Sequence, residues 1–284
     1  MNILRAGFIF FLTLLTGCEK SPPPSAFSPK PLVLVSVAPY QCIVQRIGGK
    51  HIEVSSIAAS GADIHSFEPT PRQREAIKDA TLWFRIGEPF ENLLLSLFQN
   101  HRRVVDLREG IEMLPGSSAC CLDAENQDRH MWMSPGIVQM QAKAISQALS
   151  DQFPDHKNAF ETNLSALLRD LASLDQEIRT SLESQKNHIL LVSHPAFGYF
   201  CRDYSLQQLS VECEGKDPCP KHIECLLRQG KKRPPVVAIA LPQHNNKGTQ
   251  LIANELHVPI KTIDPYSCEY FDTMRSLTQW ILFK

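Results

Sequence analysis

The sequence predicts an α/β protein of two lobes, each a four-stranded, mostly parallel sheet with flanking helices, joined by one long helix. Three observations predict it. Strand-like apolar runs alternate with helical patterns through the first half, and the same plan recurs in the second half. Between the halves, Asp155 to His188 runs without a glycine or proline. Alternating strands and helices imply parallel strands joined by crossover helices.

Pro31 to Val37 (PLVLVSV) is nearly continuously apolar, as suits a parallel strand buried on both faces. Further strand candidates are Ile52 to Ala58, Ala80 to Ile86 and Arg103 to Leu107, with helical patterns near 40–48, 70–79 and 89–100. In the second half the strand candidates are His188 to Val192, Gln208 to Glu212, Pro235 to Leu241 and Pro259 to Ile263. Helices there are expected near 196–204, 220–229, 246–257 and 269–283. In the central stretch Phe160, Leu164, Leu167, Leu168, Leu171, Leu174, Ile178 and Leu182 recur at three- and four-residue steps, the mark of a helix with one buried face. Its polar face (Arg169, Asp170, Asp175, Glu177, Arg179) reads as solvated, which favours packing along both lobes over a coiled coil. The expected boundaries are 31–153 for the first lobe, 154–187 for the helix and 188–284 for the second lobe, each lobe with its own core.

Residues 1–17 read as a signal peptide: Arg5 is its positive charge, and Ala6 to Leu15 is an apolar stretch too short to span a membrane. The stretch closes with Leu15-Thr16-Gly17-Cys18, which looks like a bacterial lipobox with Cys18 as the lipidated residue. Residues 18–30 are rich in proline and serine and form a tether. The chain is expected to be exported and lipid-anchored, facing the periplasm or the cell exterior. A net charge of −1 over 284 residues offers no basic face for nucleic acid. Removing Cys18 leaves eight cysteines, and Cys213 and Cys219, flanking a turn-like EGKDP, could pair locally; free thiols read equally well.

Four residues carry the chemistry. His65, His130, His194 and Asp264 each sit in a turn leading into a proline, in HSFEPTP, HMWMSP, SHPAF and IDPYS. Three imidazoles and a carboxylate suit a divalent transition metal, and the shell is compatible with zinc, manganese or iron. Spacings of 65, 64 and 70 residues are far too wide for a local zinc finger, so only the fold could assemble the site. Thr70, Pro71 and Gln73 read as a capping box just after His65, and Ser134 as the cap of a helix starting at Pro135. Met131, Trp132 and Met133 would wall the site against water. The other histidines lack this pattern, and His244 in LPQHNN reads as solvated or structural.

The stretches VSVAPY, HSFEPTP, HMWMSP, SHPAFGYF, EGKDPCPKHI, IDPYS and YFDTMRSL appear in one order across nearly the whole chain past the tether. In them the chain resembles the metal-binding lipoproteins of bacterial ABC importers for zinc and manganese. The resemblance implies a metal in the cleft between lobes, with His65 and His130 from the first lobe and His194 and Asp264 from the second. It also implies a monomer that hands its ion to a membrane permease and its ATPase, with no catalysis. Two departures stand out. Pro115 to Arg129 lacks the histidine-rich loop of many zinc-type members, and Leu241 in ALPQ replaces a frequent glutamate. The competing readings are a zinc-dependent hydrolase, for which Glu68 is the only nearby base and no HExxH exists, and a metal-binding surface adhesin.

Overall fold

A computed structural model of the chain describes residues 30–96, 98, 103–116, 127–212 and 218–282. The leader, Cys18 and nearly all of the tether lie outside the described residues.

The first lobe opens with β1 (Leu32–Val37), α1 (Ala38–Gly48), β2 (Glu53–Ala58), α2 (Pro71–Ile77), β3 (Leu82–Arg85), α3 (Pro89–Leu95) and β4 (Arg103–Asp106). Then come α4 (Pro135–Gln152) and the long α5 (Lys157–Ser181). The second lobe contains β5 (Ile189–Val192), α6 (Gly198–Asp203), β6 (Gln207–Ser210), α7 (Pro220–Lys232), β7 (Val237–Ala240), α8 (Lys247–Leu256), β8 (Ile260–Thr262) and α9 (Tyr270–Leu282). Both sheets are four-stranded and wholly parallel, in the orders β2-β1-β3-β4 and β6-β5-β7-β8. The central strands are the apolar ones: β5 and β7 are buried at every residue, because helices cover both faces of a parallel sheet. In each sheet the order reverses between the two middle strands. The cleft outside the carboxyl ends at such a reversal is where open α/β sheets bind ligands.

Helix α5 spans 25 residues, roughly 37 Å at 1.5 Å per residue, with single 3-10 turns before and after it. Phe160, Leu167, Leu171, Leu174 and Ile178 form its buried stripe. It packs against α1 and α4 of the first lobe and α9 of the second. Arg46 pairs with Asp170 and Arg275 with Glu177, so charges on the outer face tie the helix to both lobes.

The expectation of one core per lobe needs correction. A single apolar cluster runs from Val33, Val35 and Phe84 through Trp132 and the α5 stripe to Leu190, Ile239, Tyr266 and Met274. Only the far face of the second sheet, around Leu191, Leu209, Leu226 and Ile252, is a separate cluster. The lobes merge because α5 packs on α1 and α4 of the first lobe and α9 of the second, and because Trp132 lies edge-on to Tyr40 of the first lobe and against Tyr266 of the second. Of the two readings left open for Cys219, the structure has the free thiol, which is exposed. Cys225 is disulfide-bonded.

Candidate metal centre

The site is built at the carboxyl edges of the strands. After β2 the chain turns through Asp63, whose carboxylate accepts from the His65 backbone N–H at 3.1 Å and from the Ser66 hydroxyl at 2.7 Å. The Thr70–Gln73 capping box then starts α2, with Gln73 N–H donating to Thr70 Oγ1 and Thr70 N–H to Gln73 Oε1. Together these fix the loop that carries His65. His130 leads into a buried Met131-Trp132-Met133 turn. Ser134 then caps α4 by accepting from Ile137 N–H at 3.1 Å, with Pro135 at the first helical position. His194 follows β5 and is buried.

These three histidines converge. Their ring centroids lie 5.4 Å (His65 to His130), 4.8 Å (His65 to His194) and 5.2 Å (His130 to His194) apart. One ring nitrogen from each falls within 4.8 Å of the others. Each ring also turns its Nδ1 to a carboxylate. His130 Nδ1 donates to Asp128 at 2.7 Å, and His194 Nδ1 donates to Glu212 at 2.8 Å. His65 Nδ1 lies 3.5 Å from the buried Glu88, an ion-pair separation. A carboxylate on Nδ1 fixes the ring, directs the Nε2 lone pair into the cleft and raises its basicity toward a cation.

Two glycines make room for this arrangement. Gly87 holds φ at +87°, which a side chain tolerates poorly, and so turns the chain sharply between β3 and Glu88. A Cβ on Gly198 would stand 2.5 Å from Asp128 Oδ2, so any larger residue there would make the Asp128 side chain shift.

The Nε2 atoms face each other or a neighbour. His65 Nε2 and His194 Nε2 are 3.1 Å apart, and His130 Nε2 accepts from the Tyr266 hydroxyl at 2.9 Å. Burial drives the His194 pKa from 6.5 down to about 3. For His65 burial also opposes the charge, but Glu88 and Asp63 outweigh it and hold its pKa above 6.5. Because His194 Nδ1 donates to Glu212, its Nε2 is the acceptor of the pair, and His65 Nε2–H donates to it. Burial pushes the Tyr266 phenol well above its usual range, so it stays protonated and can donate to His130. For Glu212 burial would raise the carboxyl, but hydrogen bonds from two histidines hold it down at about 2.

Asp264 stands outside the three-histidine group. Its Oδ1 accepts from Gln243 at 2.7 Å and from Tyr266 N–H at 2.8 Å, and its Oδ2 accepts from Ser60 at 3.3 Å. His244, read from the sequence as solvated or structural, has a buried side chain stacked on His194 at 4.3 Å, and its Nδ1 donates to Glu212 at 2.9 Å. The sequence reading gave Glu88, Asp128 and Glu212 no role at the site. A signal existed for two of them: Glu88 and Glu212 follow β3 and β6 closely, the same edge that marks His194. Glu68, the only base the hydrolase reading offered, is exposed. His51 and His156 stack on each other at 4.1 Å elsewhere, His222 bonds the Ser210 carbonyl, and His101 lies outside the described residues.

The comparisons with known proteins agree with this architecture. A protein of Chlamydia trachomatis (serovar D), provisionally described as metal-binding, is 30% identical over 275 residues, which cover 96% of this chain and 98% of that protein. The manganese ABC transporter substrate-binding lipoprotein PsaA of Streptococcus pneumoniae is 26% identical over 236 residues, 78% of this chain and 75% of that protein. A crystal structure of ZnuA superposes with a TM-score of 0.82 at 29% identity, covering 89% of this chain and 98% of that one. The model of the family described as zinc-uptake complex component A, periplasmic, matches residues 33–282. With nearly its whole described length inside that model, the chain belongs to the ZnuA family of periplasmic metal-uptake components.

Proposed function

We propose that this protein captures a divalent transition metal ion in the cleft between its lobes and delivers it to an ABC permease driven by its ATPase. The family is a solute-binding transport component, not an enzyme family. The observation that carries the proposal is the convergence of three imidazoles, each backed by a carboxylate at Nδ1. His65, His130 and His194 are the nitrogen donors of this reading. Three buried carboxylates close behind them, Glu88, Asp128 and Glu212, offset the double positive charge of the ion.

Asp264 is the fourth donor in the proposal. Its present partners are an amide, a hydroxyl and a backbone N–H, all neutral, so it can turn to a cation without stranding another charge. A donor set of three nitrogens and one oxygen has more intrinsic affinity for zinc than for manganese, and we assign zinc as the first cargo to test. No described helix is long and apolar enough to cross a membrane. In this reading Cys18 carries the lipid that holds the protein at the membrane, on its periplasmic or outer side, as a monomer.

Elemental analysis and zinc–manganese competition on the purified protein test this. One ion per chain should bind and be lost when His65, His130 and His194 are all replaced by alanine. Asp264→Asn should weaken binding about 10- to 100-fold. Full affinity in that variant would give the fourth position to water, and no stoichiometric metal in the parent protein would sink the capture reading itself.

A further inference from the structure

Beside the three-histidine pole lies a fourth histidine that the pole does not use. Glu212 holds two histidines, one on each oxygen: His194 Nδ1 at 2.8 Å from Oε2 and His244 Nδ1 at 2.9 Å from Oε1. The two rings are stacked, 4.3 Å between centroids and 18° from parallel. Both rings hang from one carboxylate by the same nitrogen, so their Nε2 atoms point the same way. His194 Nε2 faces His65 at 3.1 Å. His244 Nε2 has no hydrogen-bond partner, although its side chain is only 8% exposed. A buried ring nitrogen left unpartnered is rare and asks for a ligand. The Asp63 carboxylate, which accepts the backbone N–H of His65 and the Ser66 hydroxyl, feels the charge of His244.

Stacked, nearly parallel rings cannot aim two lone pairs at one ion about 2 Å from each nitrogen, as a shared zinc would need. His244 is therefore no fourth ligand of the three-histidine pole. We propose that His244 Nε2 is an outer binding position for the same divalent cation, one ring step from the pole, through which the ion exchanges with the inner site. Glu212 serves both positions: its charge stays put while the ion moves from one imidazole to the next. An ion at His244 is held by one imidazole and water, so it binds weakly and leaves fast. An ion at the pole is held by three imidazoles. Stepping between them replaces one nitrogen at a time, which avoids stripping every ligand from the ion at once.

The inference rests on the metal-capture reading and is tested separately from it. Asparagine at 244 can keep the Nδ1-type hydrogen bond to Glu212 through its amide and lacks a counterpart to Nε2; alanine lacks both. Zinc binding at equilibrium and zinc release to excess chelator are measured for the parent protein, His244→Asn and His244→Ala. The parent should bind one tight zinc and one weak zinc. His244→Asn should keep the tight affinity within a few-fold, lose the weak equivalent and release zinc about tenfold more slowly. His244→Ala should show the same slow release even if its tight affinity also falls. Unchanged release and an unchanged weak equivalent in both variants would overturn the outer position. Loss of the tight zinc in His244→Asn would also overturn it, making His244 only a support for His194. If the parent protein binds no zinc, the capture reading falls, and the outer position falls with it.

Discussion

The pole of three histidines is closed by hydrogen bonds that any ion must first break. The His65 proton points at His194 Nε2, and the Tyr266 hydroxyl caps His130 Nε2. Proton and cation therefore compete for the same lone pairs. The two shifted histidines play unequal parts. His194, driven to about 3 by burial, is already neutral in mildly acidic solution and gives up no proton on binding. His65, where burial opposes the charge but Glu88 and Asp63 hold the pKa above 6.5, must lose one wherever the pH lies below that pKa. Below its pKa, His65 should cost about tenfold in apparent affinity per pH unit, one proton's worth. His65→Ala should bind more weakly but lose that component of the slope. Titration calorimetry in buffers of different ionisation enthalpy counts the protons released. Fold stability in metal-free protein follows the same shifts with opposite signs. The lowered His194 pKa means the unfolded chain takes up the extra proton between pH 6.5 and about 3, so stability falls as pH drops through that window. The raised His65 pKa stabilises below pH 6.5 and is lost as pH rises through its folded value.

At the scale of elements, the site depends on turns that touch no ion. Helix α6 begins at Gly198, in contact range of the carboxylate behind His130. Gly198→Ala should push Asp128 off His130 Nδ1 and lower zinc affinity about 10- to 100-fold, although every donor remains. Unchanged affinity, with the variant folded by circular dichroism, would show that Asp128 adjusts without cost. The same scale shows what the sequence could reveal. His65, His130 and His194 were legible because each lies in a turn ahead of a proline. The caps at Thr70–Gln73 and Ser134 were legible because a cap is written within four residues. Strands and helices were legible from apolar periodicity, to within a few residues at their ends. Glu88, Asp128, Glu212 and His244 were not picked out. Their roles depend on which strand edges come together, and acidic residues beside helix starts look like ordinary caps. Asp264 was read from the same pattern, a turn ahead of a proline; its carboxylate bonds to Gln243, Ser60 and the Tyr266 backbone, and its role as a donor is part of the proposal.

For the whole molecule, the decisive feature is the apolar cluster shared by both sheets. The sequence shows that one face of α5 is buried, but not that the residues on either side of it fuse into one core. With one core, the lobes should not melt separately. Differential scanning calorimetry should give one transition whose calorimetric and van't Hoff enthalpies agree, and saturating zinc should shift it upward as a whole. Two resolved transitions, only one of them zinc-sensitive, would show that the lobes melt as separate units.

Such a core also limits how a loaded protein can differ from an empty one. Swinging the lobes apart about a hinge would tear apolar atoms from both sheets at once and bend a 25-residue strut fixed at both ends. The stiff body leaves its freedom at the rim, where Trp132 donates to the Pro265 carbonyl at 2.8 Å across the cleft and Tyr266 reaches His130. Any receptor docking over the cleft must then sense cargo by touch at those few loop atoms, reading a change of local shape and charge, because the angle between lobes carries almost no information.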